Sequence, residues 1–354
     1  MTKAELDNRK ILPLEDSWYC RVKEKLDGIA KPLDGLGKFE HLIAQIGAIE
    51  KTTRISIQKK AVLVMCADNG VVEERVSQSG KEVTFAVAKA MGVNNSSVGK
   101  MAAVAGVDVI PVDIGIDTDE VIPGVLPRKV AKGTKNFAKE PAMTEEEVLK
   151  AIETGVQLVQ QCHREGYEIL ATGEMGIGNT TTSTAVAAAL LDLEVEQVTG
   201  KGAGLTDEAL KRKCRVIEEA IEKYSLRDAD AFTILKTVGG LDIAGLTGVF
   251  IGAAIEQIPV VIDGVISAVA ALLAETLCKG AVNYMIPSHK SRELAETAIM
   301  KKLHLDPVLD ADMALGEGTG AVMMMSLLDV ALGVYLQGAS FANFEIEQYK
   351  RYEE

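Results

Sequence analysis

The chain has 354 residues, 47% of them hydrophobic and only 4% aromatic, with a formal net charge of −13. Its length allows one large or two modest domains with a substantial core. A uniformly acidic chain with few aromatics lacks the cationic surface and stacking platform of a nucleic-acid binder, so any anionic small molecule must be held by local amides and a few chosen cations.

Residues 1–60 read as helical and amphipathic. Leu26, Ile29, Leu36, Phe39, Leu42, Ile43, Ile46 and Ile49 include repeated three- and four-residue steps, as a buried helix stripe does. Lys31-Pro32-Leu33-Asp34-Gly35-Leu36-Gly37 interrupts them as a loop, and a helix is predicted from Lys38. Residues 61–67 are a continuous apolar run ending in Asp68-Asn69-Gly70, the pattern of a strand buried on both faces. The same form recurs at 107–112 before Asp113, at 168–172 before Gly173-Glu174, at 259–262 before Asp263-Gly264, and at 282–286 before Pro287-Ser288-His289. Helices are predicted between them at 83–105, 144–164, 183–191, 208–223 and 265–279, and a core helix over 321–337. The proline-bearing, charged stretch 115–142 reads as a long surface excursion or a lid. Alternating strands and helices imply an α/β fold, a three-layer Rossmann-like parallel sheet with helices on both faces. Its ligands are expected beyond the carboxyl ends of the strands, where Asp68, Glu174, Asp263 and Ser288-His289 fall. The expected organisation is a large α/β domain over 60–290 and a small, mainly helical domain built from 1–59 together with 291–354.

Cysteines at 20, 66, 162, 214 and 278 form no CxxC pair, which suggests reduced thiols in a cytoplasmic protein. The four histidines show no HxH or HxxxH spacing, so no metal site is expected. The N-terminus is charged, without the apolar centre of a signal peptide. The apolar runs 243–255 and 264–274 meet charges before the roughly 20 residues that a bilayer span needs, so no membrane partner is expected.

Three glycine-rich loops could carry chemistry. Leu315-Gly316-Glu317-Gly318-Thr319-Gly320-Ala321 sets one carboxylate among glycines, and Glu317 is its only proton acceptor. Gly173-Glu174-Met175-Gly176-Ile177-Gly178-Asn179-Thr180-Thr181-Thr182 follows a predicted strand and precedes a helix, an arrangement that binds phosphate through free amides and the helix dipole. It lacks the lysine of a Walker A loop. Gly200–Asp207 leads into a helix carrying Lys211, Arg212 and Lys213, any of which could serve as a phosphate cation. GEGTGA fits a dinucleotide pattern on paper, but no apolar strand leads into it and no βαβ unit follows. Ser288 and His289, adjacent on an extended chain, are expected to point to opposite faces.

Together these loops resemble one family, the nicotinate-nucleotide:dimethylbenzimidazole phosphoribosyltransferases. The resemblance rests on KPLDGLG at 31–37, ADNGV at 67–71, VDIGID at 112–117, GEMGIGNTT at 173–181, VGGLDIAGLTG at 238–248, IDGVIS at 262–267, IPSHKS at 286–291 and LGEGTGA at 315–321. It implies transfer of ribose 5-phosphate from nicotinate mononucleotide to an aromatic base, without a cofactor or metal, and with Glu317 taking the acceptor's proton. It also implies sugar-phosphate contacts at Gly176, Asn179, Thr180, Gly202 and Lys213. Glu174, Asp263, Gly264 and Ser291 would surround ribose and nicotinate, and Ser79, Val87, Leu315 and Gly316 would hold the acceptor. A dimer is implied as well, of two copies or of two related chains. The sequence departs from the family pattern at Asp34-Gly35, at Asn69 in place of a histidine, at Ala314 in place of a basic residue, and at Val87 in place of a glutamine. An apolar Val87 relaxes the demand for a second ring nitrogen. Two acceptor classes therefore stay open, benzimidazoles and the phenol or p-cresol used by heterodimeric members.

Overall fold

The computed structural model describes residues 1–351 apart from Ala203. Six strands form one wholly parallel sheet: β1 Lys60–Ala67, β2 Val107–Gly115, β3 Leu126–Pro127, β4 Ile169–Met175, β5 Val260–Ile262 and β6 Met285–Pro287, in the order β3-β2-β1-β4-β5-β6. Two further strands, β7 His289–Ser291 and β8 Leu309–Met313, pair in parallel as a separate small sheet. Every residue of β1 is buried, and successive side chains enter opposite cores. Leu63 and Met65 join a core with Val156 of helix Glu145–Arg164, Val249 of Leu241–Glu256 and Leu272 of Val265–Leu277. Val62, Val64 and Cys66 join a second core with Val22 of Asp16–Asp27, Ile46 of Lys38–Ile49, Val98 of Ser97–Ala105 and Leu328 of Thr319–Gln337. Helices on both faces explain why the central strand is apolar throughout rather than alternating.

Glycine sets one helix contact. A Cβ at Gly155 would lie 2.1 Å from the Gly245 carbonyl oxygen, and one at Gly248 would lie 2.0 Å from that of Ile152. Helices Glu145–Arg164 and Leu241–Glu256 therefore meet backbone to backbone.

The structure corrects several expected elements. The helix expected over 83–105 is two, Glu82–Gly92 and Ser97–Ala105. Asn94 turns the chain with φ 53°, and Ser96 caps the second helix by accepting from Gly99 N at 3.1 Å. The strand expected over 282–286 begins as a 3-10 turn, Ala281–Tyr284, and only three residues pair as β6. The 115–142 excursion supplies β3, which pairs with the end of β2. Helix Asn179–Leu191 starts four residues before the predicted 183. The strand that leads toward the GEGTG loop, β8, is polar and mostly exposed, so it is not the apolar strand that a dinucleotide site needs. Helix Thr319–Gln337 is, among the described residues, the one helix long and apolar enough to cross a membrane, and 56% of its most apolar window is buried in the protein. The two chain ends meet: Ile29 bridges Ser340, and Ala30 N donates to Ala339 O at 2.8 Å.

Candidate active site

The chain leaves β1 for β2 and β3 on one side, then returns to β4 on the other. That reversal opens a crevice at the carboxyl ends of β1 and β4, where such sheets bind ligands. A cleft of about 200 Å³ lies beside it, lined from the carboxyl ends of β4 and β5. Its lining brings together eleven of the residues predicted from sequence: Glu174, Gly176, Asn179, Thr180, Gly202, Asp263, Gly264, Ser291, Leu315, Gly316 and Glu317. Lys213 stands behind Thr180, fully buried, and its Nζ donates to Thr180 Oγ1 at 3.0 Å and to Gly200 O at 3.2 Å. Neither Lys211 nor Arg212 has this position: the Arg212 guanidinium donates to Arg75 O instead. Ser79 and Val87 lie outside the lining. Helix Glu82–Gly92, which carries Val87, is tied to the 176–178 loop because Ile177 N donates to Thr84 Oγ1 at 3.1 Å.

Glu317 sits in a left-handed turn, φ 61°, between Gly316 at 83° and Gly318 at 90°. Such a run is costly for most residues, and the two glycines confine the penalty to the glutamate. The turn projects the Glu317 carboxylate to the start of helix Ser97–Ala105, where Oε2 accepts from Val98 N at 3.0 Å. The loop docks on the end of β4 so closely that a Cβ at Gly173 would stand 2.6 Å from Glu317 O. Asp263, at the end of β5, accepts from Gly318 N at 3.1 Å and from Ala321 N at 3.0 Å, and so anchors the same loop and caps the helix that follows.

A family model described as a phosphoribosyltransferase matches residues 11–346. The chain belongs to the nicotinate-nucleotide:dimethylbenzimidazole phosphoribosyltransferase family. It is 44% identical, over 93% of its length and 94% of the relative's, to the nicotinate-nucleotide–dimethylbenzimidazole phosphoribosyltransferase of Acetivibrio thermocellus. It is 43% identical to that of Clostridium acetobutylicum, over 95% of this chain and 96% of the relative. The crystal structure of CobT from Thermus thermophilus superposes with a TM-score of 0.89 at 33% identity, covering 94% of this chain and all of that one.

In this phosphoribosyltransferase the cleft floor is crowded with carboxyl groups. Asn179 heads its helix and donates its amide to Glu174 and, at 3.2 Å, to Asp242 Oδ2. Burial pushes Glu174 up to about 8, with Asp242 adding to the effect, and pushes Asp242 up to about 6. Burial also raises Asp263 and lowers His289, because both charged forms lose water. Burial depresses Lys213, with the Glu293 carboxylate acting against it. Asp242, Ser267 and Glu293 were not singled out from sequence. Asp242 lies inside the VGGLDIAGLTG motif, and its signal was a lone carboxylate in an otherwise apolar helix start. Ser288 and His289 do not diverge as expected. Ser288 Oγ lies 2.9 Å from His289 Nδ1, because the chain is leaving β6 for β7 and is not regularly extended there.

Proposed function

We propose that the enzyme transfers ribose 5-phosphate from nicotinate mononucleotide to an aromatic base, 5,6-dimethylbenzimidazole or a close relative, giving the α-ribotide used in cobamide synthesis. The donor's pyridinium leaves as neutral-ring nicotinate, taking the C1′–N bonding pair. The acceptor nitrogen attacks C1′ from the opposite face, so configuration inverts in one displacement. The acceptor's N–H proton passes to Glu317. The observation that carries this reading is the placement of Glu317, a carboxylate set between glycines, held by Val98 N–H and lining the cleft beside Leu315 and Gly316. Thr180, Gly176, Gly202 and Lys213 receive the sugar phosphate in this reading. Glu174, Asp263 and Ser291 face the ribose and the cationic ring, whose positive charge the raised carboxyl groups of the floor would meet as they ionise.

The test is nicotinate release with dimethylbenzimidazole, phenol and p-cresol in parallel, with products read by mass spectrometry. Glu317→Ala is expected to slow turnover by about 10²–10⁴-fold, the usual range for a positioned base. An unchanged rate removes Glu317 from the role, and turnover with phenols alone moves the acceptor to that class. The dimer belongs to the same proposal. Met323 and Val330 lie exposed on helix Thr319–Gln337, as does Val104 on Ser97–Ala105, which packs against it. The purified chain is expected to sediment at twice 37.8 kDa, and a monomer that turns over only with a related second chain would replace the homodimer by a heterodimer. The union of 1–59 with 291–354 as a small unit is likewise proposed, supported by the Ile29–Ser340 bridge.

A further inference from the structure

Lys213 is fully buried and stands outside the cleft lining, so an anion in the cleft cannot touch it until something moves. An ammonium has three donors. Two are used here, on Thr180 Oγ1 at 3.0 Å and on Gly200 O at 3.2 Å. Both partners are neutral, and a buried charge is costly unless an opposite charge answers it. The carboxylate that answers is Glu293, which favours the charged form of Lys213 from the far side of Gly200. It lies directly on that glycine: a Cβ at Gly200 would stand 2.0 Å from Glu293 Oε2 and 2.8 Å from Oε1. Gly202 covers Thr180 in the same way, with a Cβ 3.1 Å from Thr180 Oγ1. Thr180, Gly202 and Glu293 all line the cleft. Glu293 is half-buried and is bonded through its backbone, its N donating to Ser291 Oγ at 3.3 Å and its O accepting from Glu296 N at 3.2 Å. Its carboxylate has no hydrogen-bond or ion-pair partner among the described residues, and it does not cap the helix Leu294–Leu303 that it precedes. Rotation about side-chain bonds alone can carry it off Gly200.

Building on the reading that the donor's phosphate enters beside Thr180 and Gly202, we propose that the Glu293 carboxylate is the resident counter-ion of Lys213 in the free enzyme and that the donor's phosphate displaces it. The two anions cannot share the place, because like charges that close repel. The phosphate wins by carrying more charge and more acceptor oxygens, which suit both the ammonium and the free amides at the start of helix Asn179–Leu191. Glu293 keeps the buried lysine charged while the site is empty, so no proton has to be taken up when the donor arrives. Donor affinity is then a difference, the phosphate's gain less the loss of the carboxylate. The product carries the same phosphate, and the returning carboxylate helps it leave.

Inorganic phosphate, ribose 5-phosphate and nicotinate are titrated separately by calorimetry at neutral pH into wild type, Glu293→Gln and Glu293→Ala, each first shown to melt as wild type does. Both variants are expected to bind ribose 5-phosphate about tenfold more tightly, as the loss of an opposing like charge allows. Inorganic phosphate should tighten in the same direction, and nicotinate, which lacks the phosphate, should be unchanged. In turnover, KM for nicotinate mononucleotide should fall without a rise in kcat, whereas damage to the fold would raise KM. The counter-ion role is overturned if either variant weakens ribose 5-phosphate, which would make the carboxylate a partner of the sugar hydroxyls. It is overturned equally if both phosphates bind as they do to wild type, or if nicotinate tightens as much as they do. Wild type that binds neither phosphate removes the phosphate reading itself, and the counter-ion role with it.

Discussion

Glu174 concentrates the physical chemistry of the site in one side chain. It is 8% exposed, shares Asn179 with Asp242, and is raised to about 8. A carboxyl raised on folding keeps a proton that the unfolded chain has already released. Its folded state is therefore favoured at low pH, and that advantage is lost as pH rises through the folded value. Glu296, at about 7, acts in the same sense, and His289, lowered from 6.5, acts in the opposite sense only below 6.5. Between pH 6.5 and 8 the ligand-free enzyme is expected to lose stability, with a slope of up to about 1.4 kcal/mol per pH unit for each group that titrates. Thermal melts across that range measure it, and Glu174→Gln should flatten the decline. A flat profile in wild type would show that the floor is already ionised. At this scale the sequence was informative where a residue's backbone setting was unusual: Glu317 among glycines, and Glu174 and Asp263 at strand ends. It said little where the role arises from partners distant in the chain. Lys213 and Arg212 are neighbours on one helix, yet one is fully buried beside Thr180 and the other is bonded to Arg75 O.

Elements were legible to the extent that they are apolar and long. β1, β4 and β5 are buried almost throughout and β2 over its second half, and each carries Val, Leu or Ile in its run. The two-residue β3 and the charged β8 lack that pattern, since one is an edge and the other is held by register with β7. The break at 93–95 carries no glycine or proline of its own, so the helix expected over 83–105 read as continuous. Helix Leu241–Glu256 is buried around most of its circumference and shows no amphipathic stripe. Its contact with Glu145–Arg164 depends on small residues rather than on pattern. Gly155→Ala places a methyl where the Gly245 carbonyl oxygen already lies. It is expected to destabilise by about 1–3 kcal/mol, as overpacking does, offset by less than about 1 kcal/mol of helix propensity. Urea unfolding reads this, and KM for the donor should be unaffected. A stabilised variant would mean that the two helices can part at no cost.

Across the whole molecule, the two ends of the chain are held together by charge as well as by backbone pairing. Arg351 forks onto Asp27 and Asp34, and the fully buried Glu40 takes Lys23 at 3.0 Å and Lys31 at 2.6 Å. The two clusters should respond differently. Arg351 is half exposed, so Arg351→Ala is expected to cost about 0–1 kcal/mol and to cost nothing at high salt. Glu40→Ala leaves Lys31 without a carboxylate partner and Lys23 with Asp34 alone, and is expected to cost about 3–5 kcal/mol at any salt. Denaturant titration at low and high ionic strength separates them, and equal losses would contradict the burial argument. The overall α/β class followed from strand and helix alternation alone, whereas the sheet order did not, because register is written in contacts between strands far apart in sequence. Lys60 of β1 faces Ile169 of β4, across more than a hundred residues.

The bond from Val98 N to Glu317 Oε2 gives the proposed base an observer. A carboxylate that gains a proton weakens as an acceptor, so the amide it holds must register the change. The Val98 proton resonance is therefore an internal gauge of Glu317's charge. It is expected to move upfield when Glu317 is protonated and to shift when an acceptor ring lies against the carboxylate. Nitrogen-resolved spectra of the enzyme titrated with acid, then with an aromatic acceptor, would follow the base's state without any turnover at all.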